Sequence, residues 1–115
     1  MPSREFLLRI QDMLREISIV EETVEGLSYE EFSQGNQALR AVLYSLAVIG
    51  EAVAGAIDSL EAADPEMPWH QIGGMRNAVI HEYFQVDLEI VWQTIQSDLP
   101  ILKDALLKIL STLID

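Results

Sequence analysis

Basic side chains are scarce in this chain, which sets one short segment apart: Arg76-Asn77-Ala78-Val79-Ile80-His81-Glu82-Tyr83. Between Glu16 and Leu102 the only basic residues are Arg40, His70, Arg76 and His81. Two of these four fall in the same octet as the Tyr83 phenol. A guanidinium is charged at every physiological pH and holds phosphate through paired hydrogen bonds. An imidazole titrates near neutrality and can carry a proton to or from a reacting oxygen. Together they suit RNA cleavage without a metal. One group deprotonates the 2′-hydroxyl or protonates the leaving oxygen, and the other stabilises the charged phosphorane.

Helical geometry constrains the pair. Arg76 and His81 would sit about 140° apart around an α-helix, whereas Asn77 and His81 share a face. Arg76 and His81 can meet if the helix ends near His81, if the long Arg side chain wraps around, or if a second subunit completes the site. The third arrangement suits a symmetric dimer with a joint groove.

The elements that must position this segment read as helices. Residues 3–26 form the first, with Ser3 as cap and Gly26 as stop. Phe6, Ile10, Met13, Ile17, Val20 and Val24 alternate in steps of four and three, which makes an apolar seam. Ser28-Tyr29-Glu30-Glu31 has the spacing of a capping box. The second long helix spans about 36–61 through Leu39, Val42, Leu46, Ile49, Val53, Ile57 and Leu60. Its only charges between Asn36 and Ile57 are Arg40 and Glu51. A helix so apolar must be covered on more than one side, by the bundle or by a second copy. A third helix starts near Pro68-Trp69 and reaches His81, and a fourth runs over 88–113, capped by Asp87. Pro100 inside the fourth predicts a kink or a break. The fold class is therefore all-α: a four- to five-helix up-down bundle, one domain over 1–115, assembling as a homodimer.

Composition narrows the function. The net charge is −12, from 19 acidic against 7 Lys and Arg residues, so any RNA contact has to be local. An acidic surface also fits a basic protein partner. Cysteine is absent, which removes disulfide and thiolate chemistry and agrees with a cytoplasmic setting. The charged, periodic N-terminus does not read as a signal peptide. The longest uncharged stretch of the apolar middle, Ala41 to Gly50, is too short to span a bilayer, so no membrane association is expected.

The pattern Arg76-x4-His81-x-Tyr83 resembles the motif of HepT toxins in the HEPN superfamily. The resemblance extends to Ile49-Gly50-Glu51-Ala52, to Pro68-Trp69 with Gly74-Met75-Arg76-Asn77, and to Val86-Asp87 with Val91-Trp92, covering roughly residues 40 to 110. It implies a HEPN-like fold and a metal-independent endoribonuclease that acts as a homodimer on an RNA such as tRNA or mRNA. It also implies a type VII-like toxin–antitoxin module. In such a module a minimal nucleotidyltransferase antitoxin (MNT) silences the toxin by adenylylating a tyrosine. Carried over, Arg76 and His81 are catalytic, Asn77 supports them and Tyr83 is the modified residue. No cofactor is implied.

Plainer readings stand beside these. Arg76 could pair with a carboxylate such as Glu51, and His81 could rest at a helix C-terminus, where the dipole favours its charge. Arg40 and Glu51, eleven apart and nearly on one face, read as an internal ion pair or as support beneath the active site. His70 and His81 have no evident third ligand, so no metal site is expected. Trp69 and Trp92 read as core or interface anchors. The alternative function is a helical partner that binds a nucleotidyltransferase and cuts nothing.

Overall fold

The computed structural model describes the backbone of residues 3–81 and 87–114, with side chains over the same ranges except at 36 and 78–81. Its described elements are helices α1 (Arg4–Val24), α2 (Tyr29–Gln34), α3 (Asn36–Gly55), α4 (Ile57–Ala63), α5 (Trp69–His81), α6 (Leu88–Gln93) and α7 (Leu99–Ile114). A π turn, Thr94–Asp98, joins α6 to α7. Among the described residues there is no strand, and the architecture is all-α.

Local signals set the helix ends. The Ser3 hydroxyl accepts a hydrogen bond from the Phe6 amide at 3.1 Å, satisfying one of the four unpaired N–H groups of the first turn. Glycine at position 26 follows α1 with φ +77°, a conformation that costs other residues strain. Ser28 and Glu31 close a capping box over α2, with both bonds at 3.1 Å. Asp87 caps α6, its carboxylate accepting from the amides of Glu89 and Ile90.

All six residues of the α1 seam are buried. They pack against Val42, Leu46, Ile49 and Val53 of α3 and against Leu99, Leu102, Leu106 and Ile109 of α7 in one continuous core. Helix α3 is the central element, flanked by α1 and α5. Close contacts run antiparallel: Gly50 faces Arg76 while Ala54 faces Gly73. For this pair, that is the antiparallel order expected of an up-down bundle. The long rods are α1, α3, α5 and the continuous α6–α7, with α2 and α4 as short additions.

One expectation is corrected, and the irregularity expected at Pro100 takes the form of a π turn. The second long helix does not run unbroken over 36–61 but divides at Ala56, whose φ of −123° leaves the helical region. Gly55, a weak helix former, precedes the break, and the Arg9 guanidinium of α1 lies where its Cβ would be, 2.6 Å from that point. At Pro100 the rod is not broken. The Leu99 amide reaches back five residues to the Thr94 carbonyl. This wider turn spans Gln96, whose carbonyl a proline ring at position 100 would crowd in a regular helix.

The stretch Gln37–Gly55 of α3 is long and apolar enough to cross a membrane, with a mean hydropathy of 1.5. Counting uncharged residues alone missed this, because Arg40 and Glu51 interrupt the stretch without lowering its mean far. Burial of Val42, Leu43, Leu46, Ile49 and Val53 between α1 and α5 accounts for that apolarity within the bundle.

Candidate functional site

Helix α5 carries the motif, and its N-terminal end is firmly seated. Trp69 is 1% exposed, and its indole N–H donates to the Asp64 carbonyl at 2.8 Å. Burial of that ring ties the 64–68 loop to the core and fixes where α5 begins. The helix then crosses α3 at very short range. A Cβ placed on Gly50 would lie 2.9 Å from the Arg76 amide nitrogen and 3.3 Å from both the Gly73 carbonyl oxygen and the Arg76 Cβ. Only the missing side chain at Gly50 allows the Arg76 backbone to rest on α3.

At this crossing Arg76 is half-buried, its side chain 32% exposed. Its Nη1 donates to the Gly73 carbonyl at 2.9 Å, one turn back on its own helix. Its Nε lies 3.0 Å from Glu51 Oε2 on α3. A hydrogen bond within α5 and an ion pair to α3 therefore engage two different nitrogens of one planar group, leaving the third, Nη2, outside both contacts. Glu51 is 72% exposed at its side chain, so water screens the pair and its contribution to stability is small, up to about 1 kcal/mol.

This arrangement is the plainer reading of Arg76, a pair with Glu51, and it corrects the expected ion pair between Arg40 and Glu51. Eleven residues along one helix give nearly the same face but a rise of about 16 Å, beyond any side-chain pair. Arg40 is exposed on α3, well away from the crossing. Asn77 follows Arg76 and is exposed. His81 closes the described span of α5, and its side chain lies outside the described residues, as does Tyr83 entirely. The α5 backbone is helical as far as His81.

The other histidine has a partner that sequence reasoning missed: His70 Nε2 is 2.7 Å from Glu61 Oε1 of α4. Among the described residues no group of three His, Cys, Asp or Glu side chains could hold a metal ion. Trp92 behaves as an anchor, packing 5.1 Å from the Phe32 ring and edge-on to Tyr29 at 6.1 Å, which links α6 to α2. The Tyr29 phenol is raised above its ordinary range by partial desolvation, then by the negative charges of Glu89 and Asp87. Sequence reasoning also missed the closeness of the α3–α5 crossing. The signal available was the pairing of Gly50 with Gly73 and Gly74 in two helices that must meet.

Comparison with known proteins agrees with this architecture. A family model for HepT-like ribonucleases matches residues 13–109. A protein of Caldanaerobacter subterraneus subsp. tengcongensis, named as a candidate RNase, is 37% identical over 101 residues, covering 88% of this chain and 90% of that protein. One of Thermococcus cleftensis, named "Probable ribonuclease HepT", is 33% identical over 94 residues, covering 82% and 86%. Another candidate RNase, from Methanocaldococcus jannaschii, is 33% identical over 113 residues, covering 98% and 97%. No solved structure matches the chain. A family match over most of the length, joined by relatives that align nearly end to end, means that this chain belongs to the HepT-like ribonuclease family.

Proposed function

We propose that this chain is a metal-independent endoribonuclease toxin, a single-domain protein that acts as a homodimer in the cytoplasm. The observation that carries the reading is Arg76. It is one of the few cations in a strongly acidic chain, and it is held at the open edge of a helix crossing on the helix that also contains His81.

The chemistry follows from the residue types. The His81 imidazole accepts the proton of a ribose 2′-hydroxyl as that oxygen attacks the adjacent phosphorus. The bond from phosphorus to the 5′-oxygen breaks, and that oxygen leaves with a proton returned by the imidazolium or supplied by water. The products are a 2′,3′-cyclic phosphate and a 5′-hydroxyl. Arg76 stabilises the extra negative charge on the phosphorane, and Asn77 supports the pair. Positions five apart on an α-helix lie about 140° apart around its axis, and a joint groove built by two subunits is an arrangement that unites complementary halves. The outer face of α3 supports such pairing: Tyr44, seven residues before Glu51 on the same face, is 69% exposed.

Control falls to a nucleotidyltransferase antitoxin that adenylylates Tyr83. An added nucleotide brings a negative phosphate, which competes for Arg76 and fills the groove that RNA needs. The test is induced expression of the chain alone, with cellular RNA examined for new ends. Growth arrest with RNA cleavage, lost in Arg76→Ala and His81→Ala, supports the reading. Growth unaffected by the chain, together with tight binding to the nucleotidyltransferase, replaces it with a non-catalytic partner.

A further inference from the structure

We propose that Glu51 is the positioning residue of Arg76, gripping its guanidinium by the Nε edge so that the Nη2 end is presented to an RNA phosphate. The inference rests on the ribonuclease reading for its catalytic consequence but not for its geometry.

A lone arginine at a helix edge samples many rotamers, and a phosphate that binds it must fix them all. Here the side chain is already tied at two points. The Gly73 carbonyl takes Nη1 at 2.9 Å, and Glu51 Oε2 takes Nε at 3.0 Å. A hydrogen bond on one nitrogen and an ion pair on another restrain the group at two points. One acceptor belongs to α5 and the other to α3, so the guanidinium is referenced to both helices at the place where they touch, Gly50 against Arg76. The guanidinium is thus ordered before substrate arrives, and ordering that is already complete does not weaken binding of the transition state.

The charge of Glu51 has an opposite effect, since it offsets the cation a phosphate seeks. The balance is set by exposure. At 72% exposed the carboxylate is well hydrated and its field is screened, while its close approach to Nε, at 3.0 Å, still restrains the guanidinium. Orientation therefore outweighs competition. The acidic balance of the whole chain adds a reason for the device, because a weak general attraction for RNA leaves more to local geometry.

Glu51→Ala and Glu51→Gln separate the effects. Alanine removes acceptor and charge, whereas glutamine keeps an amide oxygen that can accept from Nε and removes only the charge. The expected result for Glu51→Ala is a loss of about 10- to 100-fold in kcat with little change in KM, as a misplaced catalytic group gives. Glu51→Gln restores most of that loss. The substrate is an RNA oligonucleotide containing a site mapped with the wild-type protein. The second readout needs no activity: the Arg76 Nε–H signal in a 15N-resolved NMR spectrum, assigned with Arg76→Lys. It should be protected from exchange in the wild type and in Glu51→Gln, and unprotected in Glu51→Ala. Equal kcat in all three proteins, or a rise in both variants, overturns the proposal, the rise showing that Glu51 acts as a competitor. An Nε–H unchanged by Glu51→Ala also overturns it. If even the wild type fails to cleave RNA, the ribonuclease reading falls, and the Nε–H signal alone decides whether Glu51 holds Arg76.

Discussion

Three glycines at the α3–α5 crossing give a test in which helix propensity cancels and only space remains. Gly50, Gly73 and Gly74 all lie inside helices, so replacing each by alanine gains about 0.5–1 kcal/mol of backbone preference. Their surroundings differ. A Cβ on Gly74 meets nothing within 4 Å, and one on Gly73 makes ordinary contact with Ala54 at 3.5–3.6 Å. A Cβ on Gly50 would stand 2.9 Å from a backbone nitrogen, Arg76 N, which cannot swing aside as a side chain can. Restoring normal contact distance requires the helices to part by about 0.6 Å at that point. Forcing a packed contact apart in this way costs about 1–3 kcal/mol. Gly74→Ala is therefore expected to stabilise the fold, Gly73→Ala to be neutral or mildly stabilising, and Gly50→Ala to fall about 1–3 kcal/mol below Gly74→Ala. The assay is urea unfolding followed by far-ultraviolet circular dichroism, at one protein concentration because association shifts apparent stability. Gly50→Ala should also lower RNA cleavage, since the parting moves Arg76 itself. Equal stabilisation by Gly50→Ala and Gly74→Ala would refute the close crossing and the account of how Arg76 is placed.

The remaining predictions concern the site and its assembly. His81→Ala and Arg76→Ala should each lower RNA cleavage by about 100-fold or more while leaving the circular dichroism spectrum unchanged, and EDTA should have no effect on the wild type. Cleavage by carefully purified protein that stops on chelation would sink the metal-free mechanism. Tyr83→Phe should remain folded and toxic yet gain no adenylate mass when co-expressed with the nucleotidyltransferase. Intact-mass spectrometry checks this, and equal increments on both proteins would count against Tyr83 as the acceptor. Light scattering at micromolar concentration should give the mass of two chains, and Tyr44→Glu, which places a charge on the exposed face of α3, should shift it toward one.

Much of the helical framework was legible in the residues. The α1 seam could be read because steps of four and three put Phe6 through Val24 on one stripe, and all six are buried. The caps at Ser3, Ser28 and Asp87 were equally plain, since each depends on a side chain reaching an amide two or three residues away. The split at Ala56 was not legible, because its one local signal, Gly55, is weak, and the Arg9 guanidinium beside Gly55 is adjacent only after α1 and α3 have packed. The pairing of Arg40 with Glu51 failed for a related reason. Face was considered without rise, and the true partner of Glu51 lay on another helix.

By itself, then, the sequence determined what depends on neighbours along the chain: helix type, caps, apolar stripes, and the rarity of cations that singled out Arg76 and His81. The tertiary structure alone decided what depends on distance between helices. It brought Gly50 against the Arg76 backbone, chose between the two partners the sequence offered Glu51 by placing Arg76 Nε at 3.0 Å, and set His70 beside Glu61. Periodicity specifies which face of a helix is apolar but not where along its length another helix will cross. That register is chosen by the packing of whole side chains and, at this site, by the absence of one at Gly50.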